Sequence, residues 1–183
     1  MVELMVLVFV LIASACIICL TLDNLRPRKN REHERSISEM LKIFDVASER
    51  IDIMTDLPPP FFDDPRILES FKNAAERGAR IRVVWDPNGY TLDESKGLQK
   101  LEEVGLVKVA RAKRAFTKEK DRHVMEVDGM WARLETYHPP KRVLETGAQA
   151  RIFRSPVVAH LARQEFERHW KQSISHNDDT CRD

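Results

Sequence analysis

Cysteine is scarce in this sequence and is missing from its central part. The 183 residues include three cysteines. Cys16 and Cys19 lie in an apolar N-terminal run, and Cys181 lies in the polar C-terminal tail. A disulfide framework for the body of the chain is therefore excluded. This distribution is typical of a reducing compartment, although it does not require one.

Charge of either sign is nearly missing from the first 22 residues, where Glu3 is the single charged side chain. All 30 Lys and Arg residues lie beyond that run, and the whole chain has a formal net charge of +1. A nearly neutral balance gives no global attraction to nucleic acid or to an anionic membrane surface. Only local clusters of charge can provide such an attraction.

The uncharged run over residues 4–22 is long enough to span a membrane. As a helix it measures about 28 Å, close to the ~30 Å of a bilayer's hydrocarbon core. A cleaved signal peptide would have a basic region before the run, and a lipoprotein signal would be cut before Cys16. Since no basic residue precedes the run, the prediction is an uncleaved, single-pass anchor.

Basic residues follow this run directly, namely Arg26, Arg28, Lys29 and Arg31. Positively charged flanks stay on the cytoplasmic side of a membrane. We therefore expect the chain to contact the lipid bilayer through residues 4–22 and to hold its folded domain on the cytoplasmic side. The predicted divisions are an anchor over 1–22, a polar linker over 23–35, a folded domain over 36–172 and a disordered tail over 173–183.

Helix and strand signals alternate over the folded domain. Ser36 with Glu39 forms a capping box, Asp64 before a proline is typical of a helix start, and Gly78 is typical of a helix end. Besides a hairpin, the predicted strands cover residues 50–56, 80–85, 106–109 and 150–153. Strands separated by helices predict an α/β fold, a mixed sheet with helices on both faces. Active loops gather at the carboxyl ends of the strands in such folds.

The hairpin covers residues 122–138, two short strands joined by a tight turn. It concentrates the polar side chains that catalysis and binding use: His123, Asp128, Arg133, Glu135 and His138. Arg133 and Glu135 are two residues apart on one strand and so share a face. They form either an exposed ion pair of little energetic value or part of a pocket beside His123.

Two imidazoles and a carboxylate, from His123, Glu135 and His138, would suit a zinc ion. Their spacing is not a tight signature, and His and Glu side chains are common at strand ends without a metal. We therefore predict no metal ion and no cofactor. The same three residues are the candidate catalytic groups if the chain is an enzyme.

A basic segment, residues 108–122, directly precedes the hairpin. Its basic members are Lys108, Arg111, Lys113, Arg114, Lys118, Lys120 and Arg122. The segment is either a solvated loop or a rim that draws a phosphate-containing ligand to the hairpin. It has no glycine-rich phosphate loop and a single aromatic residue, Phe116. Because an anionic bilayer attracts each basic side chain by about 1 kcal/mol, we favour a lipid headgroup over nucleic acid.

From residue 36 to residue 171 the chain resembles a single phospholipase D-like domain. The likeness lies in the order of the elements, in AAERGARIRVV over residues 74–84 and in the VDG of the hairpin turn. The chain is also similar to the degenerate form of this domain that senses ligands in some transcription regulators. The resemblance implies a histidine nucleophile and a lysine in HxKxxxxD, followed by GSxN, acting on a phosphodiester. It also implies two motif copies per site, so a single-copy chain would form a homodimer.

This chain departs from that motif. With Asp128 aligned to the aspartate of the family, Asp121 stands where the histidine belongs and His123 where the lysine belongs, while residues 135–138 replace GSxN. If His123 is taken as the motif histidine instead, Met125 replaces the lysine. Asp128 is the matched residue, and the resemblance gives it a supporting role.

The prediction is therefore a membrane-anchored, degenerate phospholipase D-like domain that binds a phosphate-containing or anionic ligand, or a protein partner, without full catalysis. Its ligand-binding candidates are Arg133, Asp128, Lys113, Arg114, Lys120 and Arg122. The alternative is a dimeric phosphodiesterase for lipid or nucleic acid that uses His123 and His138, with Glu135 as acid or base. A third interpretation is an interaction module with a vestigial pocket.

Overall fold

A computed structural model describes residues 28–55, 59–86, 94–114, 116, 123–135 and 150–175. The chain divides into two compact units, residues 1–38 and 39–183. The predicted anchor over residues 4–22 lies outside the described residues. Within the part that is described, no helix combines the length and the apolar character needed to cross a bilayer.

Five helices and seven strands follow one another along the described residues. The helices are α1 (Arg28–Phe44), α2 (Pro59–Phe62), α3 (Pro65–Glu76), α4 (Lys96–Glu103) and α5 (Pro156–Trp170). The strands are β1 (Arg50–Thr55), β2 (Arg80–Trp85), β3 (Val107–Arg111), β4 (His123–Val127), β5 (Trp131–Glu135), β6 (Ala150–Arg154) and β7 (Ile174–Ser175). The alternation confirms the predicted α/β class.

Local cap signals explain where α3 and α5 begin. The Asp64 carboxylate accepts the N–H of Arg66 at 2.9 Å, and a proline occupies the first helical position of α3. Ser155 does the same for α5, since its Oγ accepts the N–H of Val158 at 3.5 Å. After α3, Gly78 adopts a φ of +98°, the left-handed conformation that follows many helix ends.

The first helix begins earlier than predicted. The capping box at Ser36 and Glu39 predicted a start at that serine, but α1 already begins at Arg28, and it ends at Phe44. Residues 28–35 of the predicted linker are therefore helical. Arg, Lys and Glu are good helix formers and no Pro or Gly interrupts this stretch, so the helix continues through the capping signal.

The seven strands form one mixed sheet in the order β6-β5-β4-β1-β2-β3-β7. β1 pairs with β2, and β2 with β3, in parallel, while the other pairs are antiparallel. The region predicted as a disordered tail from residue 173 begins with a short strand, because Ile174–Ser175 pairs with β3. Residues 176–183 lie outside the described part.

Helices cover both faces of the sheet, as predicted. On one face, alternate strand residues and the buried side of α5 form an apolar cluster that includes Met54, Val84, Val124, Ala132 and Phe166. On the other face, the ring of Phe62 from α2 lies 5.4 Å from that of Trp85 and 6.4 Å from that of Phe71 in α3. The central strands β1, β2 and β4 are therefore buried on both sides.

Strand directions bring the termini of several strands to one edge of the sheet, and four of them belong to strands at its centre or in the hairpin. β1 and β2 end there, at Thr55 and Trp85, while β4, antiparallel to β1, begins there at His123 and β5 ends there at Glu135. We call this the strand-end edge. The opposite ends of β4 and β5 meet in the hairpin turn over residues 128–130, which we call the turn end.

Candidate functional site

The strand-end edge holds three of the five polar residues predicted in the hairpin. His123 is opposite Glu135 in the β4–β5 register. Val124 is opposite Met54 in the β4–β1 register, so His123 lies beside the end of β1. The side chains of His123, Glu135 and Arg133 are 2%, 3% and 7% exposed. All three are therefore inside the domain rather than on its surface.

Arg133 and Glu135 form a buried ion pair. Nη1 of Arg133 lies 2.5 Å from Oε2 of Glu135. The two-residue spacing on β5 places both side chains on one face, as predicted, but the alternative of an exposed pair does not hold. Because the carboxylate compensates the guanidinium charge, Arg133 does not present an uncompensated cation to a phosphate.

The ring of Phe116 contacts two imidazoles at the strand-end edge. Its centroid lies 6.0 Å from that of His123 and, edge-on, 5.1 Å from that of His169. His169 is buried near the end of α5, with its Nε2 3.7 Å from Oε1 of Glu165. His169 was not predicted from the sequence as a member of this cluster. Its position three residues after Phe166, on the buried side of a helix, was the available signal.

Asp86 connects this edge to the basic segment. Its buried Oδ2 accepts the N–H of Phe116 at 3.3 Å. The N–H of Asp86 itself donates to the carbonyl of Thr55 at 3.2 Å, and the N–H of Ala112 donates to the carbonyl of Trp85 at 2.9 Å. Residues 112 and 116 of the basic segment are therefore held at the end of β2.

The basic side chains lie outside this buried cluster. Lys108, Arg111 and Lys113 are exposed, and Arg114 is partly exposed. Four of the basic and histidine residues singled out in the sequence lie outside the described part of the chain: Lys118, Lys120, Arg122 and His138. Arg111, Lys113 and Arg114 thus lie on the side of the strand-end edge, whereas Lys108 lies near the start of β3.

Asp128 lies at the turn end, away from His123, and its carboxylate binds the backbone. Oδ1 accepts the N–H groups of Glu49 at 2.9 Å and Arg50 at 2.8 Å, and Oδ2 accepts that of Ser48 at 2.8 Å. Burial alone raises the pKa of this carboxyl, but the N–H groups outweigh it and hold the pKa below its ordinary value of 3.8. The structure therefore does not join Asp128 to the other predicted ligand-binding residues.

A buried charge network on the α5 face was also missed by the sequence analysis. Arg82 donates from Nε and Nη2 to Asp52 at 2.7 and 2.8 Å, and from Nη2 to Glu167 at 2.6 Å. Its guanidinium lies 4.7 Å from the ring centroid of Phe166 and 5.0 Å from that of Trp170. Burial alone lowers the pKa of Arg82, but the two carboxylates outweigh it and raise the pKa. This network joins β1, β2 and α5.

The pair of His123 and Glu135 does not by itself make a metal site. A structural zinc ion takes four ligands, and a catalytic one takes three from the protein. The third residue of the predicted set, His138, lies outside the described residues. Within the described ranges, no three His, Cys, Asp or Glu side chains are arranged to hold a metal ion.

The chemistry available at the strand-end edge follows from its buried groups. One cation, Arg133, stands with two carboxylates, Glu135 and Asp86, and two imidazoles, His123 and His169. Phosphodiester cleavage develops negative charge that preorganised cations and donors must stabilise. The described buried groups can exchange protons and form hydrogen bonds, but they carry no excess of positive charge. That excess lies on the exposed basic segment.

Neither a protein-family profile nor a curated protein sequence matches the chain. Solved structures do. One is TrmBL2, an archaeal chromatin protein with a novel mode of DNA binding, at 13% identity and a TM-score of 0.58 over 78% of this chain and 51% of that one. The chain thus spans about half of the TrmBL2 chain.

Two further solved structures are matched over most of their own length. Nuc from Salmonella typhimurium, a phospholipase D family member, is 19% identical over 74% of this chain and 87% of that one, with a TM-score of 0.56. NucT from Helicobacter pylori is 15% identical over 82% and 94%, with a TM-score of 0.58. At such identities the likeness concerns the fold alone. The chain has a phospholipase D-like fold.

Proposed function

We propose that this chain is a membrane-anchored phospholipase D-like domain that binds a phosphate-bearing lipid headgroup without cleaving phosphodiesters. The observation that carries the proposal is that the side chains at the strand-end edge are buried and already paired. His123 stands where the resemblance puts the catalytic lysine, and it is buried against Phe116. The neighbouring cation, Arg133, is already paired with Glu135.

The inferred loss of cleavage follows from electrostatics. Removing one preorganised donor to a developing oxyanion typically lowers kcat by about 10²- to 10³-fold. Arg133 does not replace the missing lysine without leaving the buried Glu135 uncompensated, and breaking such a pair costs about 3–5 kcal/mol. Binding an intact phosphate on the exposed side of the strand-end edge does not require Arg133 to leave Glu135. Binding without turnover is therefore the function that this geometry favours.

The inferred binding uses the exposed basic segment. Arg111, at the end of β3, and Lys113, two residues after it, carry exposed charge beside the strand-end edge. Near an anionic bilayer each such side chain gains about 1 kcal/mol. The uncharged run over residues 4–22 and the basic flank after it support an anchor that would keep the domain at the cytoplasmic surface. A lipid headgroup is therefore the favoured source of the phosphate.

Binding is tested with the full chain in neutral detergent micelles, titrated with glycerol 3-phosphate as the headgroup probe. We expect saturable binding and an increase in Tm that follows probe concentration. Lys113→Ala should weaken the affinity about fivefold, which corresponds to about 1 kcal/mol. Lys72→Ala removes the same charge from an exposed position of α3 and should change nothing. Equal affinity of wild type and Lys113→Ala would contradict the proposal.

Two comparison probes identify the source of the phosphate. Inorganic phosphate should bind more weakly than glycerol 3-phosphate if a headgroup is the ligand. A short single-stranded oligonucleotide should bind no more tightly than its separate phosphates. Tight binding of the oligonucleotide, with a steep dependence on salt concentration, would assign the basic segment to nucleic acid instead.

Catalysis is tested with a panel of lipid and nucleic-acid phosphodiesters. We expect no turnover by wild type or by His123→Ala. Turnover by wild type that disappears in His123→Ala would establish the alternative, a phosphodiesterase. That alternative also requires a dimer, which sedimentation of the active protein would reveal.

The anchor has a separate test. A C-terminal reporter that is active only outside the cytoplasm should be inactive, and the chain should stay in the membrane fraction after an alkaline wash. An active reporter would reverse the proposed orientation, and a released chain would exclude the anchor.

A further inference from the structure

Phe116 is the single aromatic residue of the basic segment, and it is buried. The segment around it is rich in Lys and Arg, yet the Phe116 side chain is only 3% exposed. Its ring belongs to the apolar cluster that β1, β2, β4 and α5 share. The buried ring thus fixes the backbone at residue 116, inside a stretch of charged side chains.

The segment is attached to the end of β2 at two points. At residue 112, the N–H of Ala112 donates to the carbonyl of Trp85 at 2.9 Å. At residue 116, the N–H of Phe116 donates to the buried carboxylate of Asp86 at 3.3 Å, while its ring packs against the His123 and His169 rings. Residues 112 and 116 are therefore both attached at the strand-end edge.

Lys113 and Arg114 lie between the two attachment points. An unattached loop would lose conformational freedom when its lysines and arginines converged on one anion, and that loss opposes binding. A loop that is already fixed loses less. The attachment at Phe116 therefore bears directly on affinity, although the ring itself is buried beneath the charged surface.

We propose that Phe116 is a positioning residue that holds Lys113 and Arg114 at the strand-end edge, so that a phosphate-bearing lipid headgroup meets a preformed cationic surface. His169, edge-on to the ring, and Asp86, bound to the backbone N–H, support the ring and the backbone at this position. This inference rests on the proposed function, because it explains how the basic segment achieves its affinity.

The test is a double-mutant cycle between Phe116→Ala and Lys113→Ala, with the full chain in neutral detergent micelles and glycerol 3-phosphate as the probe. Phe116→Ala should weaken the affinity about fivefold or more, although the ring is out of reach of the probe. In the Phe116→Ala background, Lys113→Ala should have less than about a twofold further effect, because the lysine is no longer positioned.

The matched control is Phe71→Ala, which truncates a fully buried ring on the opposite face of the sheet, next to Phe44 and Phe62. In that background Lys113→Ala should keep its full effect of about fivefold. If Phe116 had only a structural role, Phe116→Ala and Phe71→Ala would both lower the stability of the domain. Lys113→Ala would then weaken probe binding by its full factor in both backgrounds.

A second pair of variants keeps the test decisive if Phe116→Ala does not fold. Asp86→Ala removes the acceptor of the Phe116 N–H, whereas Asp86→Asn retains a side-chain oxygen in its place. The alanine variant should weaken probe binding and the asparagine variant should preserve most of it. Equal affinities for the two variants would overturn the inference.

The outcomes separate this inference from the proposed function. If Lys113→Ala weakens binding about fivefold in wild type and equally in Phe116→Ala, positioning by Phe116 is wrong and the proposed function stands. If Lys113→Ala has no effect in wild type, the proposed function is wrong and the inference falls with it. Loss of the lysine effect in Phe116→Ala alone supports both.

Discussion

The two ends of the β4–β5 hairpin use buried and half-buried charge in different ways. At the turn end, the Asp128 carboxylate accepts three backbone N–H groups, and Glu126 forms an ion pair with Arg50 at 2.7 Å. At the strand-end edge, Arg133 and Glu135 pair with each other beside His123. The turn end thus binds the main chain of the domain together, whereas the strand-end edge joins side chains.

The same two ends also differ in how well they match the pattern of the family. The turn residues VDG match the phospholipase D pattern, and the residues at the strand-end edge do not. A carboxylate that satisfies backbone N–H groups is required by the fold itself, because unsatisfied N–H groups destabilise a domain. A catalytic lysine is required only by the reaction. The fold can therefore persist while the chemistry of the strand-end edge changes.

The largest expected effect comes from breaking the ion pair at the strand-end edge. Glu135→Leu leaves Arg133 with a buried, uncompensated charge and should lower the free energy of unfolding by about 3–5 kcal/mol. The double variant Arg133→Leu with Glu135→Leu should recover most of that loss, because neither charge remains. Urea denaturation of the single and double variants measures both values. Additive losses would show that the two residues do not act as a pair.

The turn end should respond to the loss of its carboxylate with a somewhat smaller effect. Asp128→Ala removes the acceptor of three N–H groups and places alanine at a φ of +52°, so we expect a loss of about 2–3 kcal/mol. Asp128→Asn keeps one acceptor oxygen and a residue type that tolerates this φ, and it should lose less. The affinity of the folded variants for glycerol 3-phosphate should be unchanged. A weaker affinity would indicate that Asp128 contributes to binding the probe.

The smallest expected effect is the pH dependence of the stability that Asp128 contributes at the turn end. The pKa of Asp128 is lower in the folded chain than its ordinary value of 3.8. Its stabilisation is therefore complete above that value and disappears as the pH falls through the folded pKa. The stability difference between wild type and Asp128→Asn should shrink below about pH 4. Urea denaturation across this range measures it, and a difference that does not depend on pH would contradict the assignment.

Most of the fold could be predicted from local signals. The alternation of strands and helices, the Asp64 cap and the tight turn of the hairpin all depend on residues close together in the chain. The early start of α1 was missed because helix propensity prevailed over a capping box. The two-residue strand β7 was missed because a pair of residues carries no periodicity, and its pairing with β3 depends on a distant partner.

The candidate site could be predicted in part. The pattern of the hairpin brought His123, Arg133 and Glu135 into one cluster, and β-strand alternation alone placed the last two on one face. Phe116 and His169 were missed as members because they reach the strand-end edge from a loop and from α5. The contact between Phe116 and His169 joins residues far apart in the chain, so it leaves no spacing to detect.

The sequence by itself determined the order of the elements and the tight VDG turn, because each depends on residue identity and local spacing. Only the tertiary structure decided that Arg133 and Glu135 are buried against each other and that Asp128 serves the backbone of residues 48–50. Burial and partner choice depend on which surfaces the folded chain brings together. The position of Phe116, beneath the charges of the basic segment, is decided in the same way.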